Sequence, residues 1–236
     1  MKSWKTKQGS EIFKVLDRRS NAYLICCENV NLLVDSGMEL DFQYLQSNIS
    51  TLLPNQRNTG YLILTHSHYD HCQNAFAIQK LEGCKIIMSE NESEYAKNGY
   101  TPLPDGTYPL TRLISWIGVK LRPKWVEYVP FIPDILVTDE LNLAGYGLPI
   151  RLIHTQGHSK GSISILVDNE IAIVGDALFG VFRNSVFPPF ADDIAGMINS
   201  WGKLLDTGCQ TFLPGHGNEI TRILLQKEYD KFSPRQ

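Results

Sequence analysis

No run of apolar residues in this chain reaches the ~18 needed to span a bilayer, so the sequence predicts no transmembrane helix. The N-terminus, Met1-Lys2-Ser3-Trp4-Lys5, has no apolar stretch behind its charges. It predicts no secretory leader, and a cytoplasmic location follows. The five cysteines are an odd set with no Cys-x-x-Cys pair, and Cys26-Cys27 sit side by side in an apolar strand pattern. A disulfide framework is therefore not expected, whereas reduced, mostly buried thiols are. Excess positive charge is missing too. A net charge of −3 and a pI near 6.1 give no support for a nucleic-acid or membrane partner. The short basic clusters at 2–7, 18–19 and 120–124 read as solvated faces. Neither an internal repeat nor a low-complexity tract is present. Histidine is scarce, with six in 236 residues.

What is present is ordinary globular material, 43% hydrophobic and 20% charged, enough for a sizeable core in one domain over residues 1–236. Residues 11–16, 22–27 and 30–34 read as a β-meander that ends at Asp35-Ser36-Gly37. Helical spacing follows at 40–53 and stops at Pro54. Residues 61–64 read as a buried strand, 74–81 as a helix and 85–88 as a strand, with Ser89 capping a helix from Glu90. Residues 98–134 break the pattern with six prolines and six aromatics. They read as an insertion holding one helical piece at 109–119. Its role is a substrate lid, a subunit contact that would make a homodimer, or a structural flap. Strands return at 150–154, 162–167 and 171–174, the last two joined by a hairpin turn at Asp168-Asn169-Glu170. A helix at 192–205, a strand at 211–213 and a helix at 218–229 close the chain.

Three of the six histidines fall within six positions, in Thr65-His66-Ser67-His68-Tyr69-Asp70-His71. His66 and His68 are two apart, so on extended backbone they point the same way. Asp70 and His71 follow where the chain turns. Imidazole and carboxylate suit zinc and other divalent first-row metals. Further donors stand just past apolar strands beside glycines: His158 after Gly157, Asp176 after Gly175, and His216 between Gly215 and Gly217. Cys72, next to His71, reads as buried filler, and His154 as a strand residue.

In these residues, and in the early Asp35-Ser36-Gly37 turn, the chain resembles the metallo-β-lactamase-fold hydrolases. The landmarks run from residue 35 to 217. The resemblance implies an α+β fold, a four-layer αββα sandwich of two mixed sheets with helices outside. It implies two metals, one held by His66, His68 and His158 and the other by Asp70, His71 and His216. Asp176 bridges them, and Asp35 orients ligands without binding metal. The metals are two divalent ions, zinc first, with iron or manganese as alternatives. Such a pair lowers the pKa of a shared water, and the hydroxide attacks an ester, thioester, lactone, amide or phosphoester bond of a small molecule. Asp70 then takes the catalytic role, orienting the nucleophile or passing its proton on.

Within that family, an aspartate at 176 resembles the glyoxalase II and lactonase branch rather than the commonest zinc β-lactamases, which place a cysteine there. Only 20 residues follow His216, too few for the helical glutathione domain of long glyoxalase II enzymes. Phe179 stands where the lactonases carry a tyrosine, which weakens that reading. The pocket is then expected in the aromatic stretches around Phe179 and Phe187, with Arg183 as a partner for a substrate anion. The alternatives are an iron-dependent oxidoreductase or a non-catalytic metal-binding module on the same fold.

Overall fold

The computed structural model describes residues 1–27, 30–53, 59–121, 123–146 and 148–233. The chain forms two compact units: Met1–Thr101 with Lys124–Thr138, and Pro102–Pro123 with Asp139 onward.

The first unit holds a seven-stranded sheet whose spatial order is its sequence order. The strands are β1 (Ser3–Lys5), β2 (Glu11–Asp17), β3 (Asn21–Cys26), β4 (Asn31–Val34), β5 (Thr59–Ile63), β6 (Lys85–Ser89) and β7 (Ile135–Val137). β1 to β4 pair antiparallel, and β4 to β7 pair parallel. Parallel neighbours need crossovers. These are supplied by α1 (Phe42–Leu52), then by α2 (Tyr69–Cys72) and α3 (Ala75–Glu82), then by α4 (Ser93–Asn98) with the chain that follows it. The parallel strands read as continuous apolar runs because both faces are covered. Leu32, Leu33, Leu62, Ile63, Ile86 and Ile87 are all fully buried.

That topology places the candidate residues. β4 and β5 run parallel with Val34 beside Ile63, so Asp35 and the Thr65–His71 stretch leave the sheet at one edge. Asp35 sits at φ 60° and donates its N–H to the Ile63 carbonyl at 2.9 Å. Gly37, at φ 73°, completes the turn where a Cβ would meet Leu16 Cδ2 at 2.3 Å.

The second unit opens with α5 (Pro109–Leu121) and holds a six-stranded sheet. Its strands are β8 (Glu140–Asn142), β9 (Ile150–His154), β10 (Ile163–Val167), β11 (Ile171–Gly175), β12 (Thr211–Pro214) and β13 (Ile220–Thr221), in the order 13-12-11-10-9-8. β11 and β12 pair parallel and the rest antiparallel. Asp168 and Asn169, both at φ 54°, make the tight turn between β10 and β11, the primed geometry that matches strand twist. The helices are α6 (Ile194–Asp206) and α7 (Arg222–Phe232). Asp193 caps α6 by accepting from the Gly196 N–H at 2.9 Å. The core of this unit gathers around Trp201, Leu204, Val174, Leu178 and Phe212.

Two mixed sheets with helices make this an α+β protein. The longer elements fall within a few residues of their sequence-read bounds, and the predicted stop at Pro54 lies outside the described residues. Four strands escape sequence reading. β1, β7, β8 and β13 are two or three residues long, too short to show a period. The final helix begins at Arg222 rather than 218 because Ile220 and Thr221 pair with β12. Residues 98–134 are divided between the two units. Their Pro102–Pro123 part belongs to the second unit and their later part to the first. Cys72, Cys84 and Cys209 are buried and form no disulfide.

Candidate metal centre

In the first unit the Thr65–His71 stretch leaves β5 in extended form and turns into α2. His68 still has extended dihedrals, φ −65° and ψ 145°, and α2 then carries Asp70 and His71. The rings of His66 and His68 meet edge to face, 4.6 Å between centroids, and those of His66 and His71 are 4.2 Å apart. All four candidate donors of this stretch are buried. Four polar side chains do not gather in a core unless something satisfies them.

One carboxylate organises two of them. Asp35 accepts the Thr65 backbone N–H at 2.8 Å and the Thr65 hydroxyl at 2.8 Å, and its Oδ2 lies 2.9 Å from His71 Nδ1. A carboxylate only accepts, so His71 Nδ1 carries the proton. The Thr65 hydroxyl donates to Asp35 and lies 3.0 Å from His66 Nδ1, so His66 Nδ1 donates to it in turn. The resulting chain runs from His66 through Thr65 to Asp35, and back from Asp35 to His71. Both rings are thereby fixed in the tautomer whose Nε2 bears the ligating lone pair, the arrangement found behind metal-bound histidines.

Sequence reading missed three further supports here. Glu92, buried, accepts the Ser67 N–H at 2.6 Å, between His66 and His68. Ser20 donates its hydroxyl to the Asp70 backbone carbonyl. Arg19, read from sequence as a solvated cation, places Nε 3.8 Å from Asp70 Oδ2. A salt bridge this long and half-exposed contributes little to stability, but it sets a positive charge beside the candidate catalytic carboxylate. No sequence signal marks these partners, since they lie 25 to 51 residues from the groups they touch. Cys72 is filler as expected: its thiol donates to the Ser67 carbonyl at 3.2 Å, and burial, with Glu92 next, pushes its pKa well up. Burial, then Asp70, pushes the Tyr69 hydroxyl up to about 12.

The second unit presents the other candidates. Asp176 leaves the end of β11, with its Oδ2 3.2 Å from His216 Nε2 and 3.6 Å from His158 Nε2. His158 Nδ1 lies 2.9 Å from the Phe190 carbonyl, which can only accept, so this ring too is held as the Nδ1–H tautomer. Gly157, at φ 133°, is required: a Cβ there would lie 2.2 Å from the Met197 nitrogen. The Trp201 indole donates to the Ala177 carbonyl at 2.7 Å and pins the turn after Asp176. Phe179 stacks toward His216, 5.3 Å between centroids, so this pocket candidate flanks a candidate ligand. Arg183 is solvent-exposed. His154 stays in β9, paired with Ile163.

The structure thus brings His66, His68, Asp70, His71 and Asp35 together in one unit, and His158, Asp176 and His216 together in the other. All seven candidate ligands belong to His and Asp groups able to hold a metal ion. Their chemistry fits one: imidazoles and carboxylates, two imidazoles held in the ligating tautomer by donation to oxygen acceptors and a third through a hydroxyl.

Comparison with known proteins agrees. The family described as the metallo-beta-lactamase superfamily matches residues 15–216. A probable metallo-hydrolase of Methanocaldococcus jannaschii is 30% identical over 201 residues, 84% of this chain and 87% of that one. The hydroxyacylglutathione hydrolase of Glaesserella parasuis is 27% identical over 143 residues, 60% of this chain and 45% of that enzyme. The crystal structure of an archaeal metallo-beta-lactamase superfamily protein from Sulfolobus tokodaii superposes with a TM-score of 0.65 at 17% identity, covering 95% of this chain and 87% of that one; this last likeness concerns the fold. With its fold, its donor set and these relatives in agreement, the chain belongs to the metallo-beta-lactamase superfamily and is a metal-dependent hydrolase.

Proposed function

We propose that the two donor sets act together as a binuclear centre that hydrolyses an ester, thioester, lactone, amide or phosphoester bond of a small molecule. The ligand assignment is the one the resemblance implies: His66, His68 and His158 for one ion, Asp70, His71 and His216 for the other, with Asp176 shared. The observation that carries this reading is the commitment of Nδ1 in His66, His71 and His158 to Thr65, Asp35 and Phe190. Surface or core histidines have no reason to share one tautomer; ligands do. Bound divalent ions, zinc in this reading, supply Lewis acidity and lower the pKa of water toward neutrality. Asp70 orients the attacking water and receives its proton, with the Arg19 guanidinium beside it. Phe179 packs against the substrate beside His216. An aspartate at 176 and the relationship to hydroxyacylglutathione hydrolase favour the carbonyl end of the substrate range. The location is cytoplasmic.

The test is metal analysis of the isolated protein, followed by hydrolysis of an ester, thioester, lactone and phosphodiester panel at defined zinc, manganese and iron loading. Two zinc per chain with turnover supports the reading. Iron with oxygen consumption makes the protein an oxidoreductase, and metal without turnover makes it a binding module. Either result overturns it.

A further inference from the structure

α5 is mounted inside out. The side it turns to its own unit carries small groups. Ser115 is buried and donates its hydroxyl to the Pro104 carbonyl at 2.8 Å, and a Cβ on Gly118 would meet Leu103 Cδ1 at 2.4 Å. The large apolar residues face out. Leu110, Leu113, Ile114, Ile117 and Leu121 recur at the i, i+3, i+4, i+7 and i+11 positions of one helical stripe. With Trp116 they are between 41% and 70% exposed. The base of the helix is fixed. The Thr107 N–H and hydroxyl donate to the Pro189 and Pro188 carbonyls at 3.0 and 2.8 Å, and the Ala191 N–H donates to the Asp105 carbonyl at 2.8 Å. The helix thus holds its apolar stripe toward water by construction, and a contiguous patch of this kind marks an interaction surface.

The charge around the stripe selects the occupant. Between Asp105 and Glu127 the chain has no acidic residue, and α5 itself carries two cations, Arg112 and Lys120. Lys120 lies over the Trp116 ring, 5.0 Å from its centroid. A second copy docked stripe to stripe would set like charges against each other around the rim. An anionic lipid surface would not. It accepts the apolar stripe among its acyl chains, the indole at the headgroup level and the cations among its phosphates. Thirteen residues span only about 20 Å, and among the described residues no helix is long and apolar enough to cross a membrane. The orientation that fits is parallel to the surface. We propose that α5 docks this protein on anionic membranes, with Leu113, Ile114 and Ile117 entering the acyl layer and Lys120 meeting lipid phosphate. The proposal departs from the expectation drawn from net charge, because the field that matters is the local one. It is independent of the metal centre.

The test is co-sedimentation with phosphatidylcholine vesicles with and without phosphatidylglycerol, read beside the emission of Trp116 against a Trp116→Phe control. The full-length protein is expected to partition onto the anionic vesicles with a blue shift that the control lacks, and to be released by salt. Lys120→Glu is expected to lower that partitioning about tenfold or more, and Leu113→Glu with Ile117→Glu to abolish it. All of these side chains are exposed, so the variants keep the wild-type melting temperature. Absence of partitioning onto either vesicle overturns the proposal. So does sedimentation equilibrium showing a dimer that Ile117→Glu dissolves while vesicle binding is absent.

Discussion

Replacing Asp35 by Asn separates the orienting role of this carboxylate from its packing. The substitution keeps the volume. Asn also tolerates the left-handed backbone that Asp35 adopts at φ 60°, so little strain enters. The amide oxygen can still accept the Thr65 N–H. The amide nitrogen then faces the Thr65 hydroxyl and His71 Nδ1, both now donors at 2.8 and 2.9 Å. Two hydrogen bonds to a charged acceptor, at ~1.5–3 kcal/mol each, become donor–donor contacts until their partners rotate or change tautomer. Relief requires His71 to move its proton to Nε2, which removes the lone pair needed for a metal. The metal-free protein is then expected to lose about 2–3 kcal/mol, a fall in melting temperature of about 4–12 °C. The affinity of the His71 ion is expected to fall about 10- to 100-fold. Competition with a chromophoric chelator measures the second quantity, and scanning calorimetry of the metal-free protein the first. Asp35→Ala is expected to lose more, about 3–5 kcal/mol, because three buried donors, the Thr65 N–H, the Thr65 hydroxyl and His71 Nδ1–H, lose their acceptor. Unchanged metal affinity in the Asn variant would refute the tautomer argument, whatever happened to stability.

Three further outcomes follow from other contacts. Glu92→Ala leaves the Ser67 N–H without its 2.6 Å acceptor and is expected to weaken metal binding about tenfold in the same competition assay, while Glu92→Gln, which still accepts, stays near wild type; equal losses in both variants would show that charge rather than the acceptor matters. Gly157→Ala drives a methyl into the Met197 backbone at 2.2 Å and is expected to cost about 2–4 kcal/mol in urea denaturation, with His158 displaced. Burial pushes the Cys84 thiol up to about 11 from an ordinary value of 9.0. Its folded form binds the proton more tightly than the unfolded chain. Its contribution to stability is therefore present below about pH 9 and lost as pH rises to about 11. Urea midpoints across that range are expected to fall, and Cys84→Ala to flatten the slope; an identical slope in the variant would remove the assignment.

The longer strands and helices were legible because their signals are local. β4, β5 and β6 each contain a short apolar run, and α1, α3 and α6 repeat at helical spacing. The short edge strands were not, since Ser3–Lys5 or Ile135–Val137 becomes a strand only when a neighbour offers its ladder. The seven candidate ligands were legible for the same reason. A histidine pair two apart and single donors beside glycine turns are one-dimensional patterns.

What the sequence determined by itself is the donor inventory and the family. What only the tertiary structure decided is how those donors are held. Asp35 reaches Thr65 and His71 because parallel pairing of β4 with β5 brings two strand ends to one edge. Glu92 comes under Ser67 from just past the C-terminal end of β6, parallel to β5, and the Phe190 carbonyl meets His158 across a loop. α5 makes the point in reverse. Its periodicity identified a helical piece, and an apolar stripe in a sequence is ordinarily the buried one. The contacts of Ser115 with Pro104 and of Gly118 with Leu103 reverse that choice, because a helix can sit that close to its own chain only through small side chains. The stripe is left facing out.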